Sequence, residues 1–135
     1  MCPLAGSMTK KRILLAEDSR FLSKAAETAL SRAEFTVLLA ADGEEALRIA
    51  TTEVPDLILL DLIMPKLQGF EVLRQLKSNP ATVGIPVIVM SNLGQDQDVE
   101  LATKLGAEDY LIKAALPLKE MVRRVERYLG AGSTA

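Results

Sequence analysis

A carboxylate at the end of a buried strand is the first place in this sequence where chemistry can happen. Leu57-Ile58-Leu59-Leu60 runs straight into Asp61, followed by Leu62-Ile63-Met64-Pro65. A short continuous apolar run bounded by turn signals reads as a strand buried on both faces, as in a parallel sheet. In such sheets ligands gather outside the carboxyl ends of the strands, and Asp61 stands at such an end. Other reactive side chains follow other apolar runs. Glu17-Asp18 comes after Arg12-Ile13-Leu14-Leu15-Ala16, Ser91-Asn92 after Ile85 to Met90, and Lys113 after Asp109-Tyr110-Leu111-Ile112.

Three carboxylates sharing one crevice repel and raise one another's pKa unless a cation compensates. A ligand set of oxygens alone points to a hard ion, and Mg²⁺, which takes a few carboxylates and keeps several waters, fits it. A lysine and a hydroxyl beside a metal-bound carboxylate supply the charge neutralisation and hydrogen bonding that a phosphoryl group needs. The carboxylate can itself be the nucleophile, giving an aspartyl-phosphate. Taken singly, each group also has a bland reading. Glu17-Asp18 is a solvated loop with a helix cap, Lys113 a surface lysine, Ser91 a turn residue, Tyr110 a half-buried core aromatic, and Gly69 a tight turn before a helix.

The elements that must position these groups alternate along the chain. Phe21, Leu22, Ala25, Ala26, Ala29 and Leu30 recur at helical spacing after Ser19, a candidate N-cap. Phe35 to Leu39 is the second strand. Asp42-Gly43-Glu44-Glu45 opens the second helix, with Asp42 as cap and Glu45 reaching back. The third helix carries Phe70, Leu73, Leu76 and Lys77 and stops before Asn79-Pro80. A polar helix from about Gln95 to Lys104 is closed by Gly106, and Pro117 opens the last helix, with Met121, Val122, Val125, Tyr128 and Leu129 on one face. Five strands each followed by a helix predict an α/β fold, a three-layer, doubly wound parallel five-stranded sheet of flavodoxin-like order 2-1-3-4-5. In that order strands one, three, four and five are consecutive, so their end groups converge. The expected limits are a flexible tail over 1–9, one domain over 10–129, and a flexible tail or linker start over 130–135.

Composition narrows the alternatives. The 135 residues are 49% hydrophobic and 25% charged with a net charge of −2, ordinary for one globular domain and without the basic footprint expected of direct nucleic-acid binding or an anionic membrane surface. There is no histidine and one cysteine, Cys2. That removes histidine-based triads and zinc sites, an internal disulfide and a phosphohistidine of the chain's own. No stretch is apolar enough to span a bilayer, and Met1 to Ser7 lacks the apolar core of a signal peptide. The expected location is the cytoplasm.

The set Glu17-Asp18, Asp61-x-x-Met64-Pro65, Gly69, Ser91, Gly106-Ala107 and Tyr110-x-x-Lys113 resembles the receiver domain of two-component response regulators (CheY-like), over Lys10 to about Leu129. The resemblance implies that Asp61 accepts a phosphoryl group from a sensor histidine kinase or a histidine phosphotransfer protein. It implies Mg²⁺ bound directly by Asp18, through a water by Glu17, and also by Asp61 and the backbone carbonyl of Ile63. Lys113 and Ser91 then contact the phosphoryl oxygens. Tyr110 resembles the aromatic partner of Ser91 in a switch that alters the surface of helix four, strand five and helix five for an output protein or domain. Such a domain catalyses only its own phosphorylation and dephosphorylation, is not an enzyme on an outside substrate, and is a monomer or a phosphorylation-dependent dimer. Helix one, with Phe21 and Leu22 near the site, is the expected docking element for the phosphodonor.

Three features depart from the family pattern. Ala114 follows Lys113 where proline is usual, Asn92 stands where a small residue is usual, and the positions two after Asp61 and Ser91 are the apolar Ile63 and Leu93. Neither of the last two can orient an attacking water, so slow autodephosphorylation is expected. The main alternative is a phosphorylation-independent interaction scaffold on the same fold. A phosphohydrolase would commonly carry a second Asp where Ile63 stands, and a flavin-binding module would need a phosphate-cradling loop after strand one.

Overall fold

The computed structural model describes residues 10–63, 66–92, 96–113 and 117–130. The expectations that fall on Cys2, Met64, Pro65, Leu93, Gln95 and Ala114, and on both tails apart from Gly130, lie outside the described residues. The elements are β1 (Arg12–Ala16), α1 (Arg20–Arg32), β2 (Thr36–Ala40), α2 (Gly43–Glu53), β3 (Leu57–Leu60), α3 (Gly69–Ser78), β4 (Val87–Ser91), α4 (Asp96–Lys104), β5 (Asp109–Ile112) and α5 (Leu118–Leu129). The strands pair in parallel in the order β2-β1-β3-β4-β5, as the apolar runs predict.

The pleat of the sheet decides which helix layer each strand residue meets. Ile13, Leu15, Leu57, Leu59, Ile88, Met90 and Leu111 pack with α1 and α5. Leu14, Ala16, Ile58, Leu60, Val87 and Val89 pack on the other side with α2, α3 and Ala102 of α4. The apolar strand residues of both layers are buried, and full burial of each Leu, Ile or Val contributes about 1.5–3 kcal/mol. Two strands, β2 and β4, are offset from the sequence reading at both ends, closing one residue later at Ala40 and Ser91. β2 starts one residue later, because Phe35 turns its ring into the α1–α5 layer. β4 starts at Val87, because Pro86, which cannot donate to the ladder, contributes only its carbonyl, to the Ile58 amide at 3.0 Å.

Local chemistry fixes the helix ends. The Ser19 hydroxyl accepts from the Leu22 amide and Asp42 Oδ1 accepts from the Glu45 amide, at 3.4 and 2.8 Å. Glu45 does reach back, but its Oε1 accepts from the Ala41 amide at 2.7 Å, one residue before the cap. At the end of α4 the amides of Gly106 and Ala107 bond Thr103 and Ala102 carbonyls, at 3.0 and 2.9 Å, with Gly106 at φ +108. This is the doubly bonded stop that glycine permits.

α2 ends less comfortably. Val54 adopts φ 43, ψ 68, a left-handed conformation that costs an L-residue roughly 1–2 kcal/mol and is worst for β-branched side chains. The Arg12 guanidinium holds it there, donating to the Glu53 carbonyl and to Glu53 Oε1 (3.1 Å). Val54 is 47% exposed, so its side chain contributes little to the core. Val54→Asn keeps the backbone carbonyls of residues 53 and 54, to both of which the Arg12 guanidinium donates, and relieves the strain. We expect it to raise the unfolding free energy by about 1 kcal/mol in urea denaturation; a loss of stability would show that Val54 is held by packing instead.

Candidate functional site

Strand register brings the reactive side chains together. β1 pairs with β3 as Ala16↔Leu60, and the ladder runs one step further, with the Glu17 amide on the Ala40 carbonyl and the Asp61 amide on the Ala16 carbonyl, both at 3.0 Å. Glu17 and Asp61 therefore leave the sheet side by side. They continue the odd-numbered faces Ile13-Leu15 and Leu57-Leu59, and Lys113 continues from Leu111. Alternation thus places the three on the α1–α5 side. Lys113 Nζ lies 2.6 Å from Glu17 Oε1 and 3.1 Å from Asp61 Oδ2. Glu17 and Asp61 are each 4% exposed.

Ser91 and Tyr110 follow the opposite faces. Ser91 continues Val87-Val89 and is fully buried, while Tyr110 packs against the α2–α3 layer. Burial first, then the charge of Asp98, push the Tyr110 phenol up, against a hydrogen bond with Ser91 that lowers it; the charge of Asp61 adds to the rise. The candidate switch pair therefore meets on one side of the sheet while the ions meet on the other, with Asp61 within electrostatic reach of both.

Electrostatics separate the roles. The Glu17 carboxyl is raised, chiefly by desolvation, against hydrogen bonds from Lys113 and the Ser19 amide; the Asp61 charge raises it further. Repulsion alone, the cause expected from the sequence, is the smaller part. Burial opposes the Lys113 ammonium, but the hydrogen bond to Glu17 and the charges of Asp61 and Glu17 outweigh it, so its pKa is raised. Glu17, Asp18 and Asp61 each offer a carboxylate oxygen, all within 4.8 Å of one another. Asp18 is exposed at the mouth. Two buried acids facing one ammonium leave negative charge, and an oxygen-only donor set of this kind fits a hard divalent cation.

Four contacts were not foreseen from the sequence. The direct Lys113–Glu17 pair was not, although the shared pleat parity signals it. The Ile63 amide donates to Asp61 Oδ1 at 3.2 Å, so Ile63 reaches the site through its N–H as well as the carbonyl considered above, while its side chain is 57% exposed. The Ser19 amide donates to Glu17 Oε2 at 3.1 Å. Gly69 serves close approach rather than a special turn. A Cβ there would stand 2.5 Å from the Asp61 carbonyl and 2.4 Å from Leu62 Cα, and its amide donates to the Leu62 carbonyl at 2.9 Å. The first turn of α3 thus rests on the backbone of Asp61 and Leu62.

The family model of the response regulator receiver domain matches residues 13–126. The chain belongs to that family. Among curated relatives of this receiver, the "Probable transcriptional regulator ycf27" of Cyanophora paradoxa is 39% identical over 122 residues, covering 90% of this chain and 49% of that protein. The ycf27 protein of Guillardia theta is 36% identical over 121 residues, 90% of this chain and 46% of that one. The receiver thus spans about half the length of these relatives. Among solved structures, the receiver domain of sensor histidine kinase PA1611 from Pseudomonas aeruginosa PAO1, with a magnesium ion coordinated in its active-site cleft, is 29% identical, covers 91% of this chain and all of that one, and superposes with a TM-score of 0.82. No helix among the described residues is long and apolar enough to cross a membrane.

The raised Glu17 carboxyl makes a prediction about pH. A group whose folded pKa lies above its ordinary value, near 4.5, contributes stability that is full below that value and is lost as pH rises through the folded pKa. Glu17→Gln removes this loss. In metal-free urea denaturation the variant should gain on the wild type as pH climbs from about 4, then hold a constant lead. Mg²⁺ at a hundred times its dissociation constant should restore about 2.7 kcal/mol to the wild type and less to the variant. Parallel pH profiles would mean that Glu17 is fully compensated by Lys113.

Proposed function

We propose that this receiver takes a phosphoryl group on Asp61 from a partner phosphohistidine protein and relays the change through Ser91 and Tyr110 to the α4–β5–α5 surface. The observation that carries the reading is the buried Asp61 carboxylate fixed on both oxygens, Oδ1 by the Ile63 amide and Oδ2 by Lys113. A carboxylate so held has one attack direction, outward through the crevice mouth. One of its oxygens bonds phosphorus as the donor's P–N bond breaks, and the electron pair leaves with the imidazole. Lys113 is placed to follow the phosphoryl oxygens, and the Ser91 hydroxyl to donate to another. Asp18 directly, Glu17 through water, Asp61 and the Ile63 carbonyl would hold Mg²⁺, which when bound draws charge from the phosphoryl group. The magnesium-bound cleft of the similar Pseudomonas receiver supports this assignment.

The partner reading follows from the rim. Phe21 is 80% exposed and Leu22 and Leu118 are each 42% exposed, an apolar collar around a charged crevice that suits a helical phosphodonor. The chain has no histidine, so the donor must be another protein or domain. Receiver domains of histidine kinases from Syntrophus aciditrophicus and Pseudomonas aeruginosa are 30% and 29% identical to it, which supports a kinase or histidine phosphotransfer partner. The domain limits we assign are 10–129.

Mg²⁺-dependent labelling by a small-molecule phosphodonor tests the assignment. Asp61→Asn should abolish it, and Lys113→Ala should lower it by an order of magnitude or more, about 10²-fold for a transition-state charge contact. Undiminished labelling of the Asn variant would place the acceptor elsewhere, and unlabelled wild type would favour a phosphorylation-independent scaffold. The exposed, apolar Ile63 offers no group to orient water, so the acyl phosphate should persist far beyond seconds once donor is removed. Ile63→Asn or Ile63→Glu should shorten its life; decay of the wild type within seconds would overturn this.

A further inference from the structure

A groove of about 530 Å³ runs between α1 and α5, on the face of the sheet opposite α4. Its floor is apolar and low: Ala29 and Ala33 from α1, Leu118 and Val122 from α5. Small residues on one wall let a third helix approach closely. Its rim carries Arg32, Lys119 and Arg123 against one acid, Glu126, a local balance of +2 on a chain whose net charge is −2. Arg123 is paired with Glu120 at 3.7 Å. Arg32 and Lys119 make no ion pair among the described residues.

The complementary surface is in the same molecule. α4 carries Asp96, Asp98 and Glu100 against Lys104, a balance of −2. Its outer stripe, Gln97-Glu100-Leu101-Lys104, follows helical spacing, and Leu101 is 43% exposed. Asp96 and Glu100 lie on this exposed side and make no ion pair among the described residues. α4 is therefore an acidic helix with one projecting leucine, and the α1–α5 groove is a basic channel with an apolar floor. The two lie in opposite helix layers, so no chain can fill its own groove.

We propose that α4 of one copy docks into the α1–α5 groove of the next, Leu101 on Leu118 and Val122, with Asp96 and Glu100 facing Arg32 and Lys119. The contact is heterologous and leaves a free groove and a free α4 at the two ends, so it propagates head to tail, into an open chain or a closed ring, rather than closing as a symmetric dimer. α4 also touches the switch side of the sheet, since Asp98 acts on Tyr110, so assembly and the state of the site bear on the same helix.

Sedimentation from about 10 μM to about 1 mM at low salt tests this. The wild type should form a concentration-dependent series of dimer, trimer and longer species that weakens with salt. A groove variant, Arg32→Glu with Lys119→Glu, and an α4 variant, Asp96→Lys with Glu100→Lys, should each weaken association at least about tenfold. Mixed one to one, they should associate again, because the native α4 of one fits the native groove of the other and the reversed charges of the two altered surfaces also complement each other. Phosphodonor labelling of both variants, run alongside, reports that they are folded and tests the function proposed above separately. Wild type that stays monomeric at about 1 mM, or association that survives both variants, would overturn the proposal.

Discussion

The Lys113 ammonium between Glu17 and Asp61 is the interaction on which the rest of the site depends. Each acid sits at the end of an apolar strand with almost no access to water, where an unpaired charge is costly. One ammonium cannot neutralise two carboxylates, and Asp18 at the mouth adds a third. The three acids outnumber the one ammonium by two, a charge that a divalent cation would balance. Removing one partner from a buried pair commonly costs 3–5 kcal/mol, because the other is left uncompensated. Function and stability are opposed here, and the raised Glu17 carboxyl is where that opposition is visible.

The pleat divides the labour. Odd positions of β1, β3 and β5 deliver the ions to the α1–α5 side; Ser91 on β4 and Tyr110 on β5 deliver the hydroxyl pair to the other. A change of charge on Asp61 is therefore felt on both sides of the sheet without moving the strands, whose apolar residues are packed on both faces. The elements free to respond are those with little in the core. α4 buries only Ala102, whereas α3 buries Gly69, Val72, Leu73 and Leu76. Shifting α4 disturbs one small buried side chain, and weakly held elements of this kind are where conformational change is cheap.

The strand order, the helix caps and the convergence of Glu17, Asp18, Asp61 and Lys113 were legible in the sequence, whereas Ser91 follows the other face of the sheet, with Tyr110. The legible features follow from apolar runs, turn residues and right-handed crossovers, all of which are local signals or topological rules. Gly69 was noticed for the wrong reason, because a bare glycine in a sequence does not say which backbone approaches it. Gly43 was passed over as part of a helix start, yet a Cβ there would stand 2.2 Å from the Leu67 carbonyl. The Glu17–Lys113 pair required knowing the registers of β1 and β5 across two intervening strands. The strain at Val54 was invisible because nothing in Thr52-Glu53-Val54-Pro55 marks a left-handed residue; the Arg12 side chain that holds it comes from far along the chain.

Ile63 shows how little separates the chemistry of phosphorylation from that of its reversal. Its amide holds Asp61 Oδ1, as attack on phosphorus in the proposed function would need, and any residue at that position except proline would offer the same N–H. Its side chain points outward, and only there does the choice of an apolar group matter. A polar side chain could hold a water in line with the acyl phosphate; isoleucine leaves that water to bulk solvent, without orientation, and effective orientation is worth several kcal/mol of barrier. In the proposed function one residue would thus serve the forward reaction through its backbone and withhold the reverse through its side chain. In that function the lifetime of the signal would be set at this position without disturbing the ion pairs beneath it.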